Sequence, residues 1–337
     1  MVKKNFIERI WKTDLAKLND EASEKTGKTR TEKTIWPSEA MVDVGPFSVG
    51  ECKRALFYKL IGSTPSDPQT IRSKHICDAG LMYEKYYIDK YKNLGMFVDE
   101  QIKIVFSPNT PNGIIFSGKL DLIINDENIN KGIEIKTVSS YKADEIFGND
   151  KKPLPAPANL IQAMLYKYYF THTEEGKKSN VQTVYLQYIN RSDNSTCYYK
   201  VDLDNEGYAV ITFIDQSGNE TETIKLQDMP SYDDFITGTA IAKTSEDSRL
   251  ADIRFSIHDV FKKCDSIYTY VNNKMLPAPD YKIVYDLNDI ELEYRCARIS
   301  KIKYNKATKQ GEMGGSSRCS FCSYKRKCLS DSHCELK

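Results

Sequence analysis

Two apolar, β-rich runs near the middle of the chain carry charges where a half-buried strand ordinarily has none: Gly118-Lys119-Leu120-Asp121-Leu122-Ile123-Ile124 and Ile133-Glu134-Ile135-Lys136-Thr137-Val138. The polar segment Asn125 to Lys131 between them has the composition that reverses a strand into a hairpin. Side chains alternate across a strand, so Glu134 and Lys136 share one face while Ile133, Ile135 and Thr137 take the other. Pairing about the turn then sets Asp121 beside Glu134 and Lys136.

The surrounding pattern supplies the neighbours of this hairpin. Phe6, Ile7, Ile10, Trp11, Leu15 and Leu18 recur at helical spacing in a charged arm. Phe47 to Ile61 reads as a Ser-capped helix with Cys52 in its first turns, and Thr70 to Lys92 as a long helix. The long helix has Ile71, Ile76, Leu81, Tyr87 and Ile88 as packing residues and Glu84 near its middle. Gln101 to Phe106 reads as a strand, Ser107 to Gly113 as a turn and the Pro-rich Asp150 to Pro157 as a loop. Asn159 to Phe170 is a helix with Gln162 and Tyr166 one turn apart, and Val181 to Ile189 a strand. Thr196 to Val201, Ala209 to Ile214 and Thr221 to Leu226 can extend the sheet; Asp247 to Asn273 gives one or two helices, and Leu276 to Pro279 an extended break. Helix, three strands, helix, strand is an α/β order with a central mixed sheet flanked by helices.

Composition narrows the class. The 337 residues can bury one large core or two modest ones, and a net charge of +1 confines any nucleic-acid surface to a local patch. No stretch has the length of an apolar membrane span, and Met1 to Lys17 lacks a signal-peptide core, so a cytoplasmic protein without membrane partners is expected. In that compartment the sequon Asn194-Ser195-Thr196 has no meaning. Ala22 to Thr29 matches a permissive phosphate-loop pattern, but it follows a polar helical segment rather than a buried strand, so ATP binding is not expected.

Nine cysteines, an odd number, argue against a closed disulfide framework. Cys319-Ser-Phe-Cys322 with Cys328 six residues on is a metal-site pattern, because two intervening residues let both thiolates reach one centre. The fourth ligand is either Cys334, closing a local knuckle, or Cys52 from far upstream. Thiolates suit zinc and iron-sulfur centres alike. Cys77, Cys197, Cys264 and Cys296 stand alone and read as small core residues. Ten Lys or Arg from Arg295 to Cys328 face a single acid, Glu312, with Tyr294, Tyr304, Phe321 and Tyr324 interleaved. Such a strip can hold phosphates while aromatics stack on bases, or it can be a solvated face.

Two carboxylates and an ammonium among buried strands cost several kcal/mol unless they are paired or hold a cation, about as expected for Mg²⁺ or Mn²⁺. The alternative is the polar half of an amphipathic sheet. Glu84, Asp121, Glu134-Ile135-Lys136, Gln162-x-x-x-Tyr166 and the split cysteines together resemble the PD-(D/E)XK nuclease superfamily. The likeness is to its RecB-like exonucleases with an iron-sulfur cluster, as in CRISPR-associated RecB-like exonucleases and the AddB nuclease domain. Cys52-Lys53-Arg54-Ala55-Leu56-Phe57-Tyr58 is similar to that branch's first-cysteine helix.

The resemblance implies a restriction-endonuclease-like core over residues 47–330. Within it come a helical segment to 100, a catalytic core at 101–190, added strands and helices at 191–294 and a basic cysteine segment at 295–330. An N-terminal helical arm at 1–46 and a tail at 331–337 flank the domain. The resemblance also implies that Asp121, Glu134, the Ile135 carbonyl and Glu84 bind the divalent ion, that Lys136 acts in catalysis, and that Gln162 and Tyr166 orient DNA and the site. Cys52, Cys319, Cys322 and Cys328 would hold a structural [4Fe-4S] cluster, with Zn²⁺ as the alternative. The implied activity is a Mg²⁺- or Mn²⁺-dependent exonuclease acting on single-stranded DNA or duplex ends; the alternatives are a structure-specific or restriction-type endonuclease of the same superfamily, or a non-catalytic zinc-containing nucleic-acid-binding protein. Any helicase, recombination or CRISPR adaptation function would come from a protein partner.

Overall fold

The computed structural model describes residues 33–67, 69–148, 151–236 and 244–335. After Lys33 the chain forms β1 (Thr34–Ile35), a 3₁₀ turn at Pro37–Glu39, and the hairpin of β2 (Met41–Val44) and β3 (Phe47–Gly50). Helix α1 (Lys53–Leu60) and the long α2 (Ile71–Asn93) precede β4 (Phe97–Phe106), β5 (Ile115–Asp126) and β6 (Ile129–Val138). Then follow α3 (Ser140–Phe147), α4 (Pro157–His172), β7 (Val181–Asn190), β8 (Thr196–Leu203), β9 (Ala209–Ile214) and β10 (Glu220–Lys225). The last part is helical: α5 (Ser245–Ala251), α6 (Ile257–Asn272), α7 (Leu287–Arg295), α8 (Lys301–Gln310) and α9 (Lys325–Glu335).

One mixed eight-stranded sheet runs β1-β5-β6-β7-β8-β9-β10, with β4 also paired to β5. β1 lies parallel to β5 and β6 parallel to β7, while the other pairs are antiparallel. Glu127 and Asn128 have φ of 52° and 65°, the paired positive angles of a two-residue type I′ turn, and they close β5 onto β6. The strands therefore continue into the polar segment that composition alone assigned to the turn.

Each sheet face is covered by a helix. Tyr87, Ile88 and Tyr91 at the C-terminal end of α2 pack on Leu122, Ile124, Ile133, Ile135 and Ile189. On the opposite face α4 is buried nearly all round, through Leu160, Ile161, Met164, Leu165, Tyr169 and Phe170. A helix apolar on every side belongs in an interior, and each such side chain contributes about 1.5–3 kcal/mol by leaving water.

Several expectations change. Residues 1–32, with the periodic arm and the Ala22 to Thr29 pattern, lie outside the described residues, but 33–46 are strand and turn, and Ile35, Met41 and Val42 are fully buried in the core. A boundary at 46 would cut through the β2-β3 hairpin. Phe47 to Gly50 is strand, so Ser48 does not cap a helix; it bonds to Asp43 instead. Among the described residues the long helix buries Tyr87, Ile88 and Tyr91 of its second half, while Ile76, Leu81 and Cys77 are exposed. α3 had no counterpart in the sequence reading, and α9 carries the presumed tail on to Glu335.

The basic stretch does not form one strip. Arg298 is ion-paired with Asp252 and Glu293 and stacks on Phe47, Tyr294 and Tyr304 stack on each other, and Tyr324 is buried. Phe321 alone of the four aromatics is largely exposed. Among the described residues no helix is long and apolar enough to cross a membrane.

Two glycines show how tightly the first hairpin is seated. At Gly50, φ is +92° and a Cβ would meet the Ala40 carbonyl oxygen at 2.1 Å; at Gly62, φ is +69° with nothing within 4 Å. Gly62→Ala is expected to cost about 1 kcal/mol, the conformational penalty alone, and Gly50→Ala at least about 3 kcal/mol through added backbone displacement. Urea unfolding of the two variants checks this, and equal losses would contradict it.

Candidate active site and cysteine cavity

β5 and β6 pair from Asp126↔Ile129 up to Leu122↔Ile133 and then part. The next opposed pair would be Asp121 and Glu134. Beyond the fork β6 stays on β7 alone, while β5 is held by β4 and, at Ile115 and Phe116, by β1. The parting frees the Ile135 N–H, which donates to Asp121 Oδ2 at 2.7 Å. In a strand the N–H and C=O of one residue point to the same edge, so the Ile135 carbonyl also faces the gap.

Glu134 is almost fully buried, and its Oε1 accepts from Lys136 Nζ at 2.6 Å. Its Oε2 is buried and accepts no hydrogen bond. Glu84 of α2 reaches the same region from the other side of the sheet, where Gln101 Nε2 donates to it at 2.6 Å. A positive φ of 55° at Gln101 kinks β4 there.

Helix α4 closes the gap. Gln162 Nε2 donates to Tyr166 Oη at 2.9 Å, and Tyr166 Oη donates to the Lys119 carbonyl at 2.8 Å. Both residues are buried, so Gln162 is not the helix-surface residue its polarity would suggest. Together they pin β5 two residues before Asp121.

Burial pushes the Asp121 carboxyl well above its ordinary range, and Glu134 and Glu84 add to this against the pull of Lys136. Burial likewise raises Glu134, offset by Lys136, and raises Glu84, offset by its bond from Gln101. Burial alone would lower the Lys136 ammonium, but Glu134, Asp121 and Glu84 together hold it above its ordinary value. A lysine with lowered pKa, which suits proton abstraction, is thus not what these neighbours produce by themselves.

Asp121, Glu134 and Lys136 therefore meet at one fork, while Glu84, bonded to Gln101, is near enough for its charge to act on them. Among the described residues no three His, Cys, Asp or Glu side chains form a ready-made metal cage. The donor set nevertheless fits a hard cation: carboxylate oxygens, a strand-edge carbonyl and a buried oxygen without a partner. Sequence reading missed the groove beside the fork, about 380 Å³ in volume, where Trp36, Lys103 and Lys119 join Gln162 and Tyr166. Its signal, two lysines opposed on paired strands, becomes visible only once the register is known.

A second cavity, of about 330 Å³, is lined by Cys52, Cys319, Cys322 and Cys328. Cys52 occupies the N-cap of α1. Burial raises its thiol, opposed by the backbone N–H groups of Ala55 and Arg54. Burial pushes Cys319 up to about 12, with Cys52, Cys322 and Cys328 adding to it, and raises Cys322 as well. Hydrogen bonds already join the two ends of the chain here: Tyr58 to Asp331 at 2.7 Å, Tyr324 to the Ser63 carbonyl at 3.3 Å and Asp67 N–H to the Ser323 carbonyl at 2.9 Å. The side chain of Cys334 lies outside the described residues, while Cys197, Cys264 and Cys296 are buried core.

No family model and no curated protein matches the chain. Among solved structures it is similar to the crystal structure of SSO0001, at 18% identity and a TM-score of 0.38, covering 58% of this chain and 79% of that one. A likeness this loose assigns neither function nor residue roles.

The fork makes a prediction about stability. Asp121→Asn removes one of the crowded negative charges and keeps an amide oxygen for the Ile135 N–H. In chelator at pH 7 the variant is expected to be about 1 kcal/mol more stable than wild type by urea unfolding. Adding Mn²⁺ at 100-fold its dissociation constant should stabilise wild type by about 2.7 kcal/mol and leave the variant nearly unmoved.

Proposed function

We propose that the chain is a metal-dependent DNA exonuclease with a restriction-endonuclease-like core, hydrolysing phosphodiester bonds of single strands or duplex ends and carrying a structural [4Fe-4S] cluster. The observation that supports this best is Glu134, a buried carboxylate with one oxygen on Lys136 and the other without a partner, facing Asp121 across parted strands. A group so desolvated is costly unless a cation completes it. The preference for an exonuclease rests on the resemblance to RecB-like enzymes.

Asp121, Glu134, the Ile135 carbonyl and Glu84 would hold Mg²⁺ or Mn²⁺. When bound, such an ion polarises the phosphate and lowers the pKa of its water. Lys136 Nζ donates to Glu134 and has further protons to give a phosphate oxygen, where charge grows as water adds. Were a cation held by these carboxylates, the field that raises Lys136 would weaken, and Lys136 would position or help deprotonate the water. Tyr166 is kept protonated by burial and by the negative charge of Glu134, so it acts as a fixed donor to the Lys119 carbonyl rather than as an acid.

At the cysteine cavity the donors are thiols. Cys52, Cys319, Cys322 and Cys328 are four of the residues lining this cavity, a donor set that a [4Fe-4S] cluster or Zn²⁺ could take, and the preference for the cluster rests on the resemblance to the iron-sulfur branch. A cluster there would join α1 to the C-terminal segment and stabilise the protein without entering the chemistry.

Protein purified anaerobically, brown and iron-containing, is expected to degrade end-labelled DNA with Mg²⁺ or Mn²⁺. No degradation by cluster-intact protein would sink the reading, and cleavage of covalently closed circles would turn it toward an endonuclease. Lys136→Ala should lower cleavage by about 10²–10⁴-fold while Mn²⁺ binding persists. Cys52→Ser should lose visible absorption and thermal stability before the site residues lose their metal, and zinc in place of iron would refute the cluster assignment.

A further inference from the structure

The groove beside the fork is built for more than a cation. Lys103 and Lys119 are direct register partners on β4 and β5, so their side chains leave the sheet on the same face, and both are exposed. Among the described residues neither ammonium is ion-paired with a carboxylate. Like charges set directly opposite one another are unfavourable, and an anion between them would relieve the repulsion.

Trp36 also lines the groove; it is 51% exposed and immediately precedes Pro37 in the turn that follows β1. Its carbonyl accepts the Glu39 N–H at 2.8 Å, and β1 is tied to β5, so the indole is carried on fixed backbone. The floor is Gly118, where a Cβ would meet Pro37 Cδ at 2.6 Å. Only a residue without a side chain lets this turn sit so low on β5. Gln162 and Tyr166 form the end of the groove, and Tyr166 is close enough to Glu134 and Asp121 to respond to their charge. Lys119 is two residues from Asp121 along the strand, about 7 Å. The groove therefore opens onto the site at a distance suited to the adjoining nucleotide of one strand.

We propose that this groove seats the nucleotide next to the scissile phosphate of a single strand, with Trp36 stacking on its base and Lys103 and Lys119 holding its phosphate. The inference rests on the nuclease reading and deepens it: the enzyme engages an unpaired end, because a base must leave its partner to lie on the indole. Stacking on an aromatic tolerates any base, so the seat carries no sequence preference.

The test uses the full chain in a Trp11→Phe background, which leaves Trp36 as the only tryptophan of the two in the sequence. In chelator, oligothymidylate should quench its emission, and a blunt duplex of equal concentration should not. Trp36→Ala should weaken oligonucleotide binding about tenfold. Lys103→Ala and Lys119→Ala should each lower the slope of log affinity against log salt by about 0.7. Cleavage and binding that persist with unmoved Trp36 emission, and with Trp36→Ala at wild-type KM, would overturn the groove while leaving the nuclease reading intact. Altered salt slopes without quenching would overturn the stacking seat and leave only electrostatic attraction. Wild type that neither binds nor cleaves would remove both.

Discussion

The parting of β5 from β6 is the constraint from which the rest of the site follows. An antiparallel hairpin ordinarily satisfies its backbone groups pair by pair. Here the ladder stops after Leu122↔Ile133, and the Ile135 N–H would be left buried and unpaired. Asp121 satisfies it at 2.7 Å, which draws a carboxylate into the interior next to Glu134. The gap in turn needs an outer support for β5, which β1 and β4 supply, and a plug from α4, which Tyr166 supplies through the Lys119 carbonyl. A backbone donor satisfied by a side chain, a buried acid and a buried tyrosine are thus consequences of one missing rung.

A second junction ties the ends of the described chain together without disturbing that fork. Cys52 sits where the first backbone N–H groups of α1 point outward, and those of Ala55 and Arg54 favour its thiolate. Arg54, buried beside it, donates to the Pro277 carbonyl at 2.7 Å and to Ser332 at 2.7 Å. The C-terminal segment is therefore seated by ordinary hydrogen bonds, and a ligated centre would reinforce an existing contact. Burial raises the thiols of Cys52, Cys319 and Cys322; Asp280 adds to the first, and neighbouring cysteines add to the other two.

The features legible in the sequence were those written as local pattern. The alternation around Glu134 and Lys136 gave the strand and its polar face, and rough pairing about the turn set Asp121 beside them, although the ladder itself ends one pair earlier, at Leu122↔Ile133. The three strands after Asn194 were readable from β-branched runs, although their order in the sheet was not. Illegible features depended on tertiary placement. Phe47 to Gly50 has helical neighbours but pairs with Met41–Val44, so pairing overrode local propensity. Ile76 and Leu81 follow helical spacing yet are exposed, and Tyr324 looked like a stacking aromatic until α1 covered it. Whether a basic residue faces a substrate or a partner was likewise hidden, since Arg298 and Lys119 are indistinguishable until Asp252 is found beside the first.

Where the charges sit also explains why the sheet is so firmly clad. Carboxylates that repel one another must be kept in place by something other than their own interactions, because each alone would favour rotation toward water. Separate apolar clusters do this from the two faces: Tyr87, Ile88 and Tyr91 hold Leu122 and Ile133 from one side, and α4 holds β7 from the other. Glu134 alternates with Ile133 and Ile135, so moving its side chain outward would require slipping β6 by one residue. That slip would bring both isoleucines out of the α2 interface and break the parallel register with β7, from Ile133↔Tyr185 to Val138↔Asn190. Apolar packing accordingly fixes a carboxylate whose second oxygen has no partner among the described residues, because the core leaves that oxygen no alternative position.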